Sequence, residues 1–157
     1  MAGLDALSGI RVVEIGGQAV EHCGRLLADL GAEVIKVEPP SGAMSRSLAP
    51  FADDVGDAEH SLYFLNANSN KKSVVLDLID EEGQAQIQNL VGRSDVVLED
   101  FIPGYLDSLD LGFDSLQKMN PNIVVTSVTG FGQIGPFAKF ESNDLVAGAM
   151  GGIMSIQ

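Results

Sequence analysis

The stretch RVVEIGGQAVEHCGRLLADLGAEVIKVE (residues 11–38) has the pattern of a βαβ unit. Its two ends, 11–15 and 33–38, are short runs rich in Val and Ile, which are typical of buried strands. Between them, residues 19–30 predict a helix, because apolar residues recur at helical spacing and a glycine follows as a stop. Two strands joined through a helix run parallel, so this stretch predicts the start of a parallel sheet.

The same alternation of strands and helices continues along the rest of the chain. Residues 39–60, rich in Pro, Gly, Ser and Asp, form a predicted loop that is long enough to be functional or mobile. All elements together predict a single α/β domain over residues 1–157, with an open, mostly parallel sheet and flanking helices on both faces, as in Rossmann-like folds. The further predicted elements are strands at 73–78, 95–99 and 122–129, a helix at 81–91, and short helices at 105–109 and 113–119.

The composition is that of a soluble globular protein with a strong negative charge. The 157 residues include 22 Asp and Glu against 9 Lys and Arg, a formal net charge of -13, and they contain one Cys. Because nucleic-acid binders need cations to neutralise phosphates, this balance excludes a nucleic-acid partner. A single Cys forms no internal disulfide, and no apolar run approaches the roughly 18 residues of a membrane span. We therefore expect a cytoplasmic protein that does not contact a membrane.

Two glycine-rich turns follow predicted strands, where ligands of open α/β folds bind. Residues 130–135 match the dinucleotide fingerprint G-x-G-x-x-G, but Pro136 follows at once and no helix start is recognisable. The pair Gly16-Gly17, with the acidic Glu38 at the end of the second strand, lacks the fingerprint spacing. A nucleotide-dependent oxidoreductase module is therefore the least favoured of the functions considered.

The reactive side chains indicate no catalytic or metal constellation. Cys23 falls on the apolar side of the predicted 19–30 helix, where a thiol is expected to be buried as a core residue. The two histidines, His22 and His60, are too few to form a metal site with one Cys, so no metal is expected. No G-x-S-x-G elbow occurs either, and the catalytic residues stay unassigned.

Several short motifs occur in a fixed order along the chain. They are LSGIRVVE (7–14), LADLGAEVIKVEP (27–39), YF (63–64), NSNKKS (68–73), LDL (76–78), DVVLEDFIPG (95–104), LGF (111–113), NP (120–121) and SVTGFGQIGP (127–136). In this order they resemble the class III CoA-transferase family, which includes formyl-CoA transferase, the carnitine CoA-transferase and bile-acid-inducible types, and the α-methylacyl-CoA racemases. The resemblance runs from about Leu7 to the end of the chain.

The resemblance implies an enzyme that moves coenzyme A from an acyl-CoA to a carboxylic acid. In such enzymes an aspartate attacks the thioester, which gives an aspartyl mixed anhydride and CoA thiolate. It also implies the large α/β domain of that family, a homodimeric assembly, and acyl-CoA as a substrate without any tightly bound cofactor. Carried over by motif, the CoA contacts are expected from residues that follow the strands: Gln18, Ala19, Leu76, Asp100, Phe101, Leu109, Thr129, Gly130 and Phe131.

The sequence departs from the family pattern where that pattern has phosphate-binding arginines. Pro39 and Ser108 stand at the two arginine positions, and the acidic Asp100 replaces an asparagine. The phosphates of CoA therefore lack their usual partners. Lys71 and Lys72, which are adjacent in the sequence, are equally well interpreted as phosphate ligands or as the solvated start of the next strand. Substitute cations would come from a partner chain or from three residues of this chain: Arg46, Lys71 and Lys72.

The nucleophilic aspartate of the family lies downstream of the segment that matches residues 146–155, so the resemblance places it beyond this chain. Asp144 comes too early in the register, and Asn143 stands where the racemase branch has a catalytic histidine, which disfavours racemase chemistry. The apolar stretch 145–154 has no polar cap and predicts a continuation. The first hypothesis is therefore the N-terminal part of a class III CoA-transferase, inactive alone and completed by further chain or by a complementary chain. The alternative is a non-catalytic subunit that binds acyl-CoA or a partner chain.

Overall fold

The fold is an open sheet of five parallel strands, seen in a computed structural model that describes residues 5–156. The strands lie in the order β3-β2-β1-β4-β5, and every neighbouring pair is parallel. This arrangement confirms the predicted α/β fold of Rossmann-like type. Residues 1–4 and 157 of the predicted domain lie outside the described part. The strands are β1 (Arg11–Ile15), β2 (Glu33–Glu38), β3 (Lys72–Val75), β4 (Val96–Glu99) and β5 (Val124–Ser127).

Helices precede and follow the strands. The helices predicted at 81–91 and 113–119 match the structure, whereas the short helix predicted at 105–109 is a 3-10 turn at Asp107–Leu109. The sequence pattern does not predict the second and fifth helices, which have six and seven residues. Within residues 5–156 the α-helices are α1 (Gln18–Asp29), α2 (Leu62–Ala67), α3 (Glu81–Val91), α4 (Phe113–Met119) and α5 (Asp144–Met150).

The carboxyl ends of all five strands lie at one edge of the sheet. At the end of β1, Ile15 is opposite Val37 of β2 and Glu99 of β4. The chain extends from β1 through β2 to β3, and then returns to the other side of β1 with β4 and β5. The loops that leave β1 and β4 therefore meet at the switch point, where the topology of such sheets predicts a crevice for ligands. We call residues 16–19 and 100–101 the switch crevice.

Two apolar cores lie on opposite faces of the sheet. One core packs Val13 of β1 against α3 and α4, through buried residues that include Ile87 and Leu116. The other packs Val12 against α1, through buried residues that include Val20. Because successive side chains of a strand point to opposite faces, β1 is buried on both faces, as expected for a central parallel strand.

The prediction that Cys23 is buried is wrong, because the thiol lies on the exposed side of α1. Leu26 and Leu30 of the same predicted apolar side are 50% and 51% exposed. Helix α1 instead turns its small residues, among them Gly24, towards the sheet. A Cβ at Gly24 would overlap with Glu14 Oε2, so only a glycine allows the helix to lie this close to β1.

Four charged side chains are buried beneath α1, and we call them the buried charge cluster: Glu14, Glu21, Lys36 and Lys71. Lys36 Nζ lies 3.0 Å from Glu14 Oε1 and 2.9 Å from Glu21 Oε1. Lys71 Nζ lies 2.8 Å from Glu14 Oε2 and donates to the Glu21 carbonyl oxygen at 2.7 Å. No side chain of the cluster is more than 2% exposed. The two ammonium groups balance the two carboxylates, which makes this burial tolerable.

The long segment 39–60 is attached to the sheet by side-chain hydrogen bonds. Arg46 Nε and Nη2 donate to the two carboxylate oxygens of Glu38 at 2.7 and 2.9 Å. Ser45 Oγ donates to Glu21 Oε1 at 2.6 Å, which joins the segment to the buried charge cluster. The segment therefore has specific anchors on β2 and α1, although its own regular structure is limited to two short 3-10 turns and one isolated bridge from Phe51 to Ser61.

Candidate functional site

The two sides of the switch crevice are joined by the carboxylate of Asp100, which follows β4. Its Oδ1 accepts the N–H of Gly17 at 2.7 Å, and its Oδ2 accepts the N–H of Ala19 at 3.1 Å. These donors belong to the first turn of α1, where backbone N–H groups have no partner within the helix. The structure thus brings together three of the predicted CoA contacts, since Gln18 lies exposed between the two bonded amides.

Phe101, the fourth predicted contact, lies next in the same loop and is half-buried. Its ring centroid lies 4.9 Å from that of Tyr105. Its N–H donates to Glu99 Oε2 at 2.8 Å, and Gln133 Nε2 donates to Glu99 Oε1 at 3.3 Å. The buried Glu99 carboxylate therefore joins the loop after β4 to the glycine-rich loop after β5.

Sequence reasoning did not single out Glu99 or Gln133. Both lie within motifs of the family resemblance, DVVLEDFIPG and SVTGFGQIGP, so the motifs marked the correct loops. A signal for Glu99 was available, because an acid at the end of an otherwise apolar buried strand needs hydrogen-bond donors nearby. The structure supplies two donors: the N–H of Phe101, in the loop after β4, and the side-chain amide of Gln133, in the loop after β5.

The predicted contacts after β5 lie on the other side of β4 from the α1 turn. Thr129 Oγ1 is buried and has no hydrogen-bond partner among the described residues. A Cβ on Gly130 would overlap with Ser142, so the chain leading to α5 lies directly against this glycine. Phe131 packs near Phe137 and Phe140, with ring centroids 6.3 and 6.2 Å away. This loop is thus held by local packing beside the loop of Phe101.

Two predicted contacts lie in the apolar core rather than at the crevice. Leu76 follows β3, two strands away from β1, and is 7% exposed within the core beneath α3. Leu109 lies in the 3-10 turn after β4 and is half-buried against the same core. The structure therefore does not place these two side chains beside Asp100, and their contact with CoA stays a prediction.

The candidate phosphate ligands are already engaged by acidic side chains. Lys71 belongs to the buried charge cluster, and burial lowers the pKa of this ammonium against the opposing attraction of Glu14. Arg46 pairs with Glu38, whose hydrogen bonds raise the pKa of the guanidinium. Lys72 Nζ lies 2.6 Å from Glu33 Oε1, although its side chain is 71% exposed. Of the three cations, Lys72 alone combines solvent exposure with a pair that is weak in water.

The geometry disfavours a dinucleotide site. Glu38, at the position of a ribose-binding acid, is 2% exposed and accepts bonds from Arg46, Ser73 and the N–H of Ala43. The described chain after residues 130–135 enters turns and begins no helix before Asp144. Neither the ribose nor the pyrophosphate of a dinucleotide would therefore find the partners that this fold class normally supplies.

The amide and the acid near the end of the described chain lie at the start of α5. Asn143 caps α5, because its Oδ1 accepts the N–H of Val146 at 3.0 Å. Asp144 is the first residue of that helix and is exposed. Among residues 5–156, no group of three or more His, Cys, Asp or Glu could hold a metal ion. In the same range, no helix has both the length and the apolar character needed to cross a bilayer.

The model of CoA-transferase family III matches residues 7–157, and the chain therefore belongs to the class III CoA-transferases. It is 42% identical over 154 residues to the succinate–glutarate CoA-transferase of Agrobacterium fabrum, covering 96% of this chain and 38% of that protein. It is 41% identical over 151 residues to the formyl-CoA:oxalate CoA-transferase of Streptomyces coelicolor, covering 96% and 36%.

A solved structure agrees with this membership. The crystal structure of a CAIB/BAIF family protein from Brucella suis superposes with a TM-score of 0.88 at 40% sequence identity. The superposition covers 97% of this chain and 40% of the Brucella protein. The chain thus spans between 36% and 40% of the length of the three proteins named here.

Proposed function

We propose that this chain forms the CoA-binding α/β part of an enzyme that transfers CoA from an acyl-CoA to a carboxylic acid. The observation that carries the proposal is the meeting of the β1 and β4 loops at the switch crevice, in a chain that matches the family over residues 7–157. The names of these two relatives give succinate, glutarate, formyl-CoA and oxalate, so a short carboxylic acid is the proposed acceptor. CoA thioester is the substrate, with no resident cofactor.

The residues of the crevice suit the neutral part of CoA. Phe101 and Tyr105 offer an aromatic wall for an extended thioester arm. The glycine-rich turn of residues 16–17 and the loop at 129–131 bring backbone groups close to the same edge of the sheet. The binding energy of the phosphates is expected to be small, because the chain carries a net charge of -13 and its buried cations are already paired.

We further propose that the nucleophilic aspartate is not among the 157 residues of this chain, and that the chain alone is inactive. The two carboxylates beside the crevice support this proposal, since each accepts hydrogen bonds that hold it in place. Asp100 accepts two backbone N–H groups, and Glu99 is buried and accepts from Phe101 and Gln133. A carboxylate bound in this way is a weak nucleophile, because attack on a thioester would break its hydrogen bonds.

Calorimetric titration with acetyl-CoA and a coupled CoA-transfer assay test the two parts separately. We expect binding by the 157-residue chain without transfer between acids. Phe101→Ala is expected to weaken binding by about tenfold, since an aromatic contact with its buried area contributes on the order of 1–2 kcal/mol. Met119→Ala, at the end of α4 that leads into the start of β5 and with a side chain that is 40% exposed, is the control and should leave binding unchanged. Absence of acetyl-CoA binding would overturn the proposed function, and transfer by this chain alone would overturn the proposal on the nucleophile.

A second candidate is a non-catalytic subunit that binds acyl-CoA or a partner chain. The favouring observation is the apolar surface of residues 134–156, where Ile134, Leu145 and Ile156 are 88%, 66% and 83% exposed. Such a surface is typical of an interface, either with a second copy or with a complementary chain. Light scattering would show this interface as a complex larger than the monomer. A full-length gene product that binds acyl-CoA but transfers no CoA would favour this candidate.

We propose a cytoplasmic location for either function.

A further inference from the structure

The carboxylate of Asp100 occupies the position at which an anion binds to the amino end of a helix. Helix α1 has twelve residues, and the free N–H groups of its first turn carry a partial positive charge. In many α/β proteins a ligand phosphate binds such a turn after the first strand. Here Asp100 provides the negative charge itself, through bonds of 2.7 Å from Gly17 and 3.1 Å from Ala19.

The backbone around this carboxylate is shaped for its close approach. A Cβ at Gly16 would overlap with Asp100 Oδ1, so the carboxylate lies closer to this glycine than a side chain there would allow. The parallel register also contributes, because Ile15 lies opposite Glu99 and so places the next residues of both strands side by side. A phosphate at the same amides would have to displace Asp100 or lie beside a like charge, and both are unfavourable.

We propose that Asp100 is a specificity-determining residue that closes the amino end of α1 to phosphate, so that the crevice accepts only an uncharged part of an acyl-CoA. This inference rests on the proposed function for the identity of the ligand. The pantetheine arm and the thioester of an acyl-CoA are uncharged, whereas its pyrophosphate and 3′-phosphate are anionic. The phosphates then lie away from the β1 turn, in contrast to dinucleotide sites of this fold class.

Amide NMR of the chain tests the closure directly, with inorganic phosphate as the probe. In the Asp100→Ala variant, we expect the amides of Gly17 and Ala19 to exchange with solvent about tenfold faster, because each loses one hydrogen bond. We also expect saturable, millimolar phosphate binding at these amides in the variant and none in the native chain. Asp95→Ala is the matched control, since Asp95 accepts the N–H of Arg11 at the opposite end of the same strand pair.

A second variant keeps the test valid if Asp100→Ala does not fold. Asp100→Asn preserves the shape but offers one acceptor oxygen, so one of the two amides is expected to lose protection while the other keeps it. Unchanged exchange in both variants, phosphate binding by the native chain at these amides, or no phosphate response in Asp100→Ala would each overturn the proposal. A separate acetyl-CoA titration of the native chain tests the proposed function. If that titration fails while the exchange and phosphate results hold, only the identity of the ligand is wrong.

Discussion

Removing the ammonium group of Lys71 is expected to destabilise the protein by about 3–5 kcal/mol, the range for breaking a buried ion pair on one side. Lys71 Nζ contacts four acceptors: Glu14 Oε1 at 3.0 Å, Glu14 Oε2 at 2.8 Å, the Glu21 carbonyl oxygen at 2.7 Å and Asn68 Oδ1 at 2.8 Å. The Lys71→Met variant keeps the apolar stem and loses these bonds. Two buried carboxylates would then share the single ammonium of Lys36, which leaves one uncompensated negative charge.

The adjacent lysine provides the control, because it differs in burial and not in chemistry. Lys72 is 71% exposed and pairs with Glu33, so Lys72→Met is expected to cost less than about 1 kcal/mol. Urea unfolding at neutral pH measures both variants. A double variant, Lys71→Met with Glu14→Gln, removes the excess charge and should recover part of the loss, which a double-mutant cycle quantifies. The reasoning would be refuted if Lys71→Met and Lys72→Met differed by less than about 1 kcal/mol.

Three further outcomes follow from the described contacts. The hydrogen bonds that Glu38 accepts, chiefly from Arg46, lower the pKa of this carboxyl from 4.5 to about 2. The ionised Glu38 therefore stabilises the fold above about pH 4.5, and this contribution is lost as the pH falls through 2. In Glu38→Gln, the unfolding free energy measured between pH 5 and pH 2 should therefore fall by about 3 kcal/mol less than in the native chain. Gly24→Ala should destabilise the fold by more than about 2 kcal/mol, because the new methyl group overlaps with Glu14. The control Gly148→Ala in α5 meets open space and should stabilise the fold by about 0.5–1 kcal/mol. Thermal unfolding measures both variants, and equal shifts of their melting temperatures would contradict this prediction. The exposed Cys23 thiol should react with Ellman's reagent in the folded protein without prior unfolding, and protection until unfolding would show that it is buried.

The parts of the fold that depend on local pattern were predictable from the sequence. Strands β1 and β2 and helices α3 and α4 match their predicted bounds, because their apolar residues recur with the period of the element. Helix α1 shows the limit of this reasoning. Its most apolar side carries Cys23, yet the helix buries another side, where Val20 and Ala28 join an apolar core and Glu21 lies 2.9 Å from Lys36 Nζ on β2. The hydrophobic period of one helix does not report which partners the rest of the chain brings to its small and charged residues.

The candidate site shows the same division between local and long-range information. The loops after β1 and β4 were expected at one edge, because the carboxyl ends of parallel strands meet there. The role of Asp100 was not predictable, since it bonds to Gly17 and Ala19 across more than eighty residues and depends on the register of β1 against β4. Lys71 was open to two interpretations, as a phosphate ligand or a solvated residue, and burial beneath α1 fits neither of them.

The buried charge cluster has a consequence for the order in which the chain folds during synthesis. Glu14, Glu21 and Lys36 are all present once β2 has left the ribosome, but together they carry one excess negative charge. Lys71, which neutralises it, is 57 residues after Glu14. The first βαβ unit would therefore bury an unpaired carboxylate if it closed alone, so we expect its stable docking to follow the synthesis of residue 71.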